Sequence, residues 1–161
     1  MYNIDMKKKI IIYSIILFII DLVSKLLIDN LLSFSDNINI IDNFFSIKKV
    51  YNTGASFSIL IGKTYLFIIF AIICLIYLFK SLKEIKSTKL VISSYSLLIA
   101  GIIGNMCDRI LYKHVIDFIS FKFGNYYFPI FNFADIFICV GCFLLIVNYL
   151  KVGEKNGTSS K

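Results

Sequence analysis

Residues 115–135 read VIDFISFKFGNYYFPIFNFAD, and this stretch decides how the rest of the chain must fold. It carries an aspartate near each end, Asp117 and Asp135, and the second is followed at once by an apolar run over residues 136–150. An aspartate at the centre of a membrane helix costs roughly 2.5–3.5 kcal/mol on insertion, and less near the interface. Two carboxylates held close together cannot both ionise, so they share a proton. The remaining sequence is interpreted as a frame that holds this pair.

The composition is that of an integral membrane protein. Of 161 residues, 58% are hydrophobic, 17% are charged and only one is proline. A soluble domain of this size has no interior large enough to bury so much apolar surface. The formal charge of +7 is typical of nucleic-acid binding too, but the lysines lie beside the hydrophobic runs, where orientation in a bilayer explains them better. No nucleic-acid partner is expected.

Four apolar segments are long enough to approach the length of a bilayer span. A helix that rises about 1.5 Å per residue needs roughly 20 residues to cross about 30 Å of hydrocarbon. We therefore predict one α-helical membrane domain over residues 1–152, followed by a polar, disordered tail at 153–161. The predicted spans are residues 10–28, 65–79, 90–106 and 133–150, with outer loops at 29–64 and 107–132.

The distribution of lysine predicts the orientation of these spans. Ten lysines and three acidic residues flank the N-terminus, the link between the second and third spans, and the C-terminal tail. The other two loops carry six basic and five acidic residues, which nearly balance. The positive-inside rule therefore places both termini in the cytoplasm and the two aspartates at the outer face.

The two outer loops carry strand-forming sequence. Residues 38–57 contain FFSIKKVY, and residues 118–128 are aromatic and β-branched, with Gly124-Asn125 placed for a tight hairpin turn. We expect a small β-containing cap on the outer membrane face, with its Phe and Tyr side chains at headgroup level.

Several polar residues near the spans have both a structural and a functional interpretation. Asp21 and Lys25 share a helix face, where they form a structural pair or Lys25 snorkels to the membrane interface; a supporting role beside a catalytic site fits either. Asn105, Asp108 and Arg109 indicate either a capped helix end with a local Asp–Arg pair, or side chains that orient carboxylates. Asn132 is a candidate N-cap of the fourth helix and lies on the same face as the Asp three residues later.

Two further segments also have more than one interpretation or a packing role. The segment from Asn52 through Gly54 to Phe57 is a turn before a helix, or it offers an amide to a ligand. Gly101 and Gly104 predict close packing of another helix.

Other kinds of chemistry find little support in the sequence. The four cysteines lie in or beside apolar runs, and we expect neither a disulfide nor a zinc site. His114 is predicted to be a surface loop residue, since metal ligands and a nucleophile at suitable spacing are lacking. No cofactor is expected. The pair of carboxylates remains as the candidate catalytic group.

Five stretches of the chain, in this order, resemble the lipoprotein signal peptidases, the type II signal peptidases of bacteria. FNxAD and GNxxDR are the distinctive ones, and the five together cover nearly the whole chain apart from the tail. They are D-x-x-x-K at Asp21 and Lys25, NTGASFS from Asn52, AGIIGNMCDR ending at Arg109, VIDF around Asp117, and FNFAD closing at Asp135.

The resemblance implies an aspartic endopeptidase of the bacterial cytoplasmic (inner) membrane, acting near the outer (periplasmic or extracellular) face. It would remove the signal peptide of a prolipoprotein by cutting before a cysteine that carries a diacylglyceryl group. Its partners would be prolipoproteins and membrane lipids, and a monomer is expected. Asp117 and Asp135 would be catalytic, with the substrate-binding and supporting positions at Asn52, Gly54, Asn105, Asp108, Arg109, Asn132, Ala134, Asp21 and Lys25.

Two other classes of protein remain as alternatives. A small transporter or proton pathway also uses intramembrane carboxylates, but it predicts ionisable residues spread through the depth of the bilayer. Here they gather at one end of the predicted spans. A scaffold without chemistry leaves the group of Asn, Asp and Arg residues unexplained.

Overall fold

The computed structural model describes residues 4–54, 63–83 and 85–157 of the chain, with side-chain environments up to residue 151. Within these ranges, four helices are long and apolar enough to cross a membrane, and four strands form one small sheet. The predicted fold class, a four-helix membrane protein with a β-containing cap, is confirmed. The elements are α1 (Ile4–Leu31), β1 (Asn37–Ile41), β2 (Phe45–Asn52), α2 (Thr64–Ser81), α3 (Lys89–Tyr112), β3 (Val115–Phe123), β4 (Tyr126–Tyr127) and α4 (Phe133–Gly157).

The helices are longer than the predicted spans. Helix α1 continues to Leu31 and α3 to Tyr112, so residues 107–112 are helical and do not belong to a loop. Helix α4 reaches Gly157, which makes residues 153–157 helical instead of part of the predicted tail. Hydropathy marks where apolar side chains stop, whereas backbone hydrogen bonding continues into the polar turns beyond them.

Helix α3 is the central helix of the bundle and packs against α4, α1 and α2. Its glycines allow this close packing, as predicted for the Gly101–Gly104 pair. A Cβ on Gly101 would overlap the Ala134 carbonyl oxygen, and one on Gly104 would lie 2.5 Å from the Asp21 carboxylate. The start of α4 and the middle of α1 therefore both approach α3 at the same level.

The sheet lies at the end of the bundle where α1 and α3 finish and α4 begins. Its strand order is β1-β2-β3-β4, and each neighbouring pair is antiparallel. The predicted hairpin turn is present between β3 and β4, where Gly124 has a φ of +62°, a conformation that glycine adopts without strain. Strand β3 follows α3 directly and carries Asp117 into the space beside the start of α4.

Candidate active site

Asp117 lies on strand β3 and is almost completely buried, with 2% of its surface exposed. Its carboxylate accepts one hydrogen bond from the Asn52 Nδ2 group at 2.8 Å and another from the Asn132 Nδ2 group at 2.6 Å. Asn52 is positioned by the β2–β3 register, which pairs it with Val115 on the strand that carries Asp117. Among the described residues, two neutral amides and no cation contact this carboxylate.

The pKa of Asp117 is raised from its usual value near 3.8 to about 7, chiefly by burial and in second place by the nearby charge of Asp135. The hydrogen bonds from Asn52 and Asn132 and the charge of Lys25 act the other way, because they stabilise the ionised form. The burial effect is the largest of these. Asp117 is therefore a carboxyl group that holds a proton near neutral pH.

Asp135 occupies the third position of α4 and is held by a capping box. Its backbone N–H donates to the Asn132 Oδ1 atom at 3.0 Å, while its Oδ2 atom accepts the Asn132 backbone N–H at 3.2 Å. The other carboxylate oxygen accepts a hydrogen bond from the Asn105 Nδ2 group at 2.7 Å. The predicted N-cap at Asn132 is present, and its Nδ2 group also donates to Asp117. One asparagine thus connects the two aspartates.

Lys25 is buried beneath this pair, with 1% of its surface exposed. Its Nζ atom lies 2.8 Å from the Asp21 carboxylate, 3.1 Å from that of Asp108 and 3.1 Å from the Asn105 Oδ1 atom. These three oxygens match the three N–H donors of the ammonium group. Lys25 therefore does not snorkel to the membrane surface. It forms buried ion pairs with two carboxylates and a hydrogen bond within the protein.

The two acidic partners of Lys25 also hold the backbone on either side of the aspartates. Asp21 accepts a hydrogen bond from the Ala134 N–H at 2.8 Å, at the first turn of α4. Asp108 accepts one from the Ile116 N–H at 3.3 Å, beside Asp117 on β3. The cation bound to Asp108 is thus Lys25, and the alternative of a local Asp–Arg pair with the following residue is wrong.

Arg109 extends from α3 towards the segment after β2. Its guanidinium donates to the Gly54 carbonyl at 3.3 Å and to the Asn105 carbonyl at 3.2 Å, and it lies 4.7 Å from the centre of the Phe67 ring. The Gly54 N–H in turn donates to the Asn52 side chain at 3.0 Å, which orients the amide that contacts Asp117. The predicted continuation of this segment at residues 55–57 lies outside the described residues.

A largely apolar groove of about 610 Å³ opens between α2, α3 and α4. Asn105 and Arg109 line its end nearest to the aspartates, and most of its remaining wall is aromatic and aliphatic. The groove therefore joins the polar site to the hydrocarbon region of the bundle.

The other residues considered from the sequence lie outside the site. His114 is half-buried and stacks on Tyr51 with 3.8 Å between ring centres, so it is a packed residue more than a free surface group. The four cysteines are not disulfide-bonded. In the described part of the chain, no three His, Cys, Asp or Glu side chains are placed to share a metal ion.

Comparison with known proteins gives consistent matches over almost the whole chain. The family model for signal peptidase (SPase) II matches residues 13–151. The chain belongs to the signal peptidase II family. It is 36% identical to a lipoprotein signal peptidase of Bacillus pumilus, over 92% of this chain and 98% of the relative, and 38% identical to one of Clostridium novyi, over 92% and 100%.

Solved structures agree with this assignment. A bacterial membrane enzyme determined by the in meso method at 2.3 Å resolution superposes with a TM-score of 0.83, at 36% identity, over 93% of this chain and 90% of that one. A second, at 1.9 Å resolution, gives a TM-score of 0.81 over 93% and 96%. As a member of the signal peptidase II family, the chain is a membrane peptidase, which decides against the alternatives of a transporter or a scaffold.

Replacement of Lys25 by methionine tests the buried cluster. Lys25→Met leaves two buried carboxylates without their cation, and removing one partner of a buried ion pair costs about 3–5 kcal/mol. We expect a large fall in the midpoint of thermal unfolding in detergent and the loss of peptidase activity. The matched control, Lys49→Met, removes a lysine whose partner Asp29 is partly exposed, at 3.5 Å, and we expect at most about 1 kcal/mol there. Equal effects of the two substitutions would contradict the role given to Lys25.

Proposed function

We propose that the chain is an aspartic endopeptidase that cuts prolipoprotein signal peptides before the lipid-bearing cysteine, with Asp117 and Asp135 as its catalytic residues. The observation that carries this proposal is the connection between the two carboxylates: both are hydrogen-bonded to Asn132, and Asp117 has a pKa raised to about 7. A pair that shares one proton near neutral pH supplies an acid and a base at the same place.

The surroundings of the two carboxyl groups suggest different roles for them. Asp117 is the more buried and holds the proton, so it acts as the acid that polarises the scissile carbonyl. Asp135 accepts hydrogen bonds from an amide side chain and a backbone N–H in the first turn of α4, where the helix dipole favours a negative charge. It is the base that activates water.

Hydrolysis then proceeds in two steps that leave the pair in its starting state. A water molecule loses a proton to Asp135 as its oxygen attacks the scissile carbonyl carbon, and Asp117 gives its proton to the carbonyl oxygen. In the resulting tetrahedral intermediate, Asp135 passes its proton to the leaving nitrogen while the C–N bond breaks. Asp117 recovers a proton from one hydroxyl group as the new carboxylic acid forms, so no metal or cofactor takes part.

The groove between α2, α3 and α4 is suited to the apolar part of such a substrate. A signal peptide is an apolar helix, and the cysteine to be released carries two acyl chains, so both remain in the hydrocarbon. The apolar wall around Phe70 and Leu98 offers contacts to either, while Asn105 and Arg109 at the end of the groove face the polar peptide group. A substrate bound in this way has its scissile bond next to the aspartates.

The membrane orientation belongs to the same proposal. The excess of lysine at the other end of the bundle supports an orientation with both termini in the cytoplasm and the aspartates at the outer face. A substrate whose mature part has already crossed the membrane presents its cleavage site at that face. One chain carries both aspartates, so a monomer is sufficient for the reaction.

The two aspartates are tested by replacing each with asparagine. Asp117→Asn and Asp135→Asn keep the size and much of the hydrogen bonding but remove the acid or the base, and we expect no measurable cleavage of a lipidated precursor in detergent. The unfolding midpoints of both variants should stay near that of the wild type. Asp42→Asn, which changes an exposed carboxylate in the turn between β1 and β2, is the matched control and should remain fully active. Substantial turnover by either Asp117→Asn or Asp135→Asn would refute the assignment of these two residues as catalytic.

The dependence of the cleavage rate on pH tests the shared proton. Because the pKa of Asp117 is raised to about 7, the acid is present below that pH and is lost as the pH rises through it. We expect a bell-shaped profile of kcat/KM with its alkaline limb near pH 7.

Asn52→Ala removes a donor that stabilises ionised Asp117, so its pKa rises and the alkaline limb moves to higher pH. Asn39→Ala changes an exposed amide on β1 and should leave the limb in place. An alkaline limb that is identical in wild type and Asn52→Ala would show that Asp117 does not control it.

A further inference from the structure

The two faces of the sheet differ in character. Asp117 shares its face with Ile119 and Phe121, because alternate residues of a strand point the same way, and these pair with Ile47 and Phe45 on β2. The opposite face carries polar side chains at directly paired positions of all four strands. We call this the polar sheet face; it consists of Asn37, Asn39, Ser46, Lys48, Ser120, Lys122 and Tyr127.

A cavity of about 170 Å³ opens on the polar sheet face and is lined by all of its members. Two lysines from different strands meet there over one aromatic ring. The Lys48 Nζ atom lies 5.5 Å from the centre of the Tyr127 ring, and the Lys122 Nζ atom lies 5.3 Å from it. Both cations are held by the electron-rich face of the tyrosine, within the usual cation–π distance.

Neither lysine is neutralised by a carboxylate of the described part of the chain. Among the residues that the structure describes, the ion pairs involve Lys25 and Lys49, and no carboxylate lies within 4 Å of Lys48 or Lys122. The cavity wall adds N–H donors instead, and Asn37 donates to the Asn39 Oδ1 atom at 3.0 Å, which orders the two amides. Two positive charges and the surrounding hydroxyl and amide groups of a small cavity are complementary to the oxygens of a phosphate group.

The position of the cavity indicates where that phosphate comes from. Tyr127 belongs to the β3–β4 hairpin, whose tip exposes Phe123, Tyr126, Tyr127 and Phe128. Exposed aromatic residues beside a membrane bundle are typical of the headgroup level of the bilayer. The prevailing anions at that level are lipid phosphates, which attract lysines near the membrane surface.

We propose that the polar sheet face binds the phosphodiester of an anionic phospholipid headgroup between Lys48 and Lys122. Such a contact holds the sheet, including the strand that carries Asp117, at the membrane surface. The contact is made by the face of the sheet opposite to the one that carries Asp117. It is independent of the peptidase reaction, since no member of the polar sheet face contacts Asp117 or Asp135 among the hydrogen bonds of the described residues.

The test measures retention of phosphatidylglycerol by the full-length enzyme in neutral detergent, using native mass spectrometry. We expect the double variant Lys48→Gln/Lys122→Gln to bind this lipid at least tenfold more weakly, since each lysine near an anionic surface contributes about fivefold. The matched control, Lys63→Gln/Lys113→Gln, removes two exposed lysines at the same end of the bundle outside the cavity and should bind within about twofold of the wild type.

The charge-preserving variant Lys48→Arg/Lys122→Arg should retain the lipid, and all of these variants should cleave a lipidated precursor at the wild-type rate in neutral detergent. Unchanged lipid retention in the Gln double variant would overturn the proposal, as would an equal loss in the control pair, because binding would then reflect general surface charge. Inorganic phosphate and phosphatidylcholine distinguish the source. Displacement of the lipid by millimolar phosphate, or equal binding of the zwitterionic lipid, would overturn the assignment to an anionic headgroup.

Discussion

The burial of the Lys25 ammonium group is the constraint on which the arrangement of the site depends. A charge inside a bundle is stable only when opposite charges and hydrogen bonds surround it, and here Asp21, Asp108 and Asn105 do so. These partners come from α1 and α3, so the two helices must meet at this level. The same two carboxylates also bind the backbone: Asp21 accepts the Ala134 N–H of α4 on its second oxygen, and Asp108 accepts the Ile116 N–H of β3 on the oxygen that contacts Lys25. Through Asp21 and Asp108, one cation thus helps to position the segments that carry Asp135 and Asp117.

The Lys25 cation is separated by one residue from the two carboxylates proposed to be catalytic. Lys25 contacts Asn105, and the amide of Asn105 contacts Asp135, while Asp117 is touched by the amides of Asn52 and Asn132. A lysine in direct contact would favour the ionised form of its partner and oppose the sharing of a proton. Amides instead hold the geometry and leave burial to set the protonation of Asp117. The same group of residues therefore supplies both rigidity and a carboxyl pair able to exchange a proton.

Much of this architecture could be predicted from the sequence because it rests on local or one-dimensional signals. The spans follow from apolar runs, the Asp21–Lys25 pair from helical spacing, the hairpin from Gly124-Asn125, and the cap from Asn132 and Asp135 three residues apart. The supporting contacts have no such signal. Whether Asp108 pairs with its neighbour or with Lys25 depends on how α1 packs on α3, and the contact of Arg109 with Phe67 depends on where α2 lies. The predicted C-terminal ends of the helices also fall too early in the sequence, because the polar turns beyond the apolar runs remain hydrogen-bonded.

The central claim is that the two aspartates act on one water and one peptide carbonyl. A crystal structure with a peptide analogue that carries a hydroxyl-bearing tetrahedral carbon at the cleavage position tests it most directly. The account predicts that this hydroxyl lies within hydrogen-bonding distance of both Asp117 and Asp135, with the apolar residues of the analogue in the groove between α2, α3 and α4. A hydroxyl bound to only one of the two carboxylates, or an analogue that lies outside the groove, would contradict it.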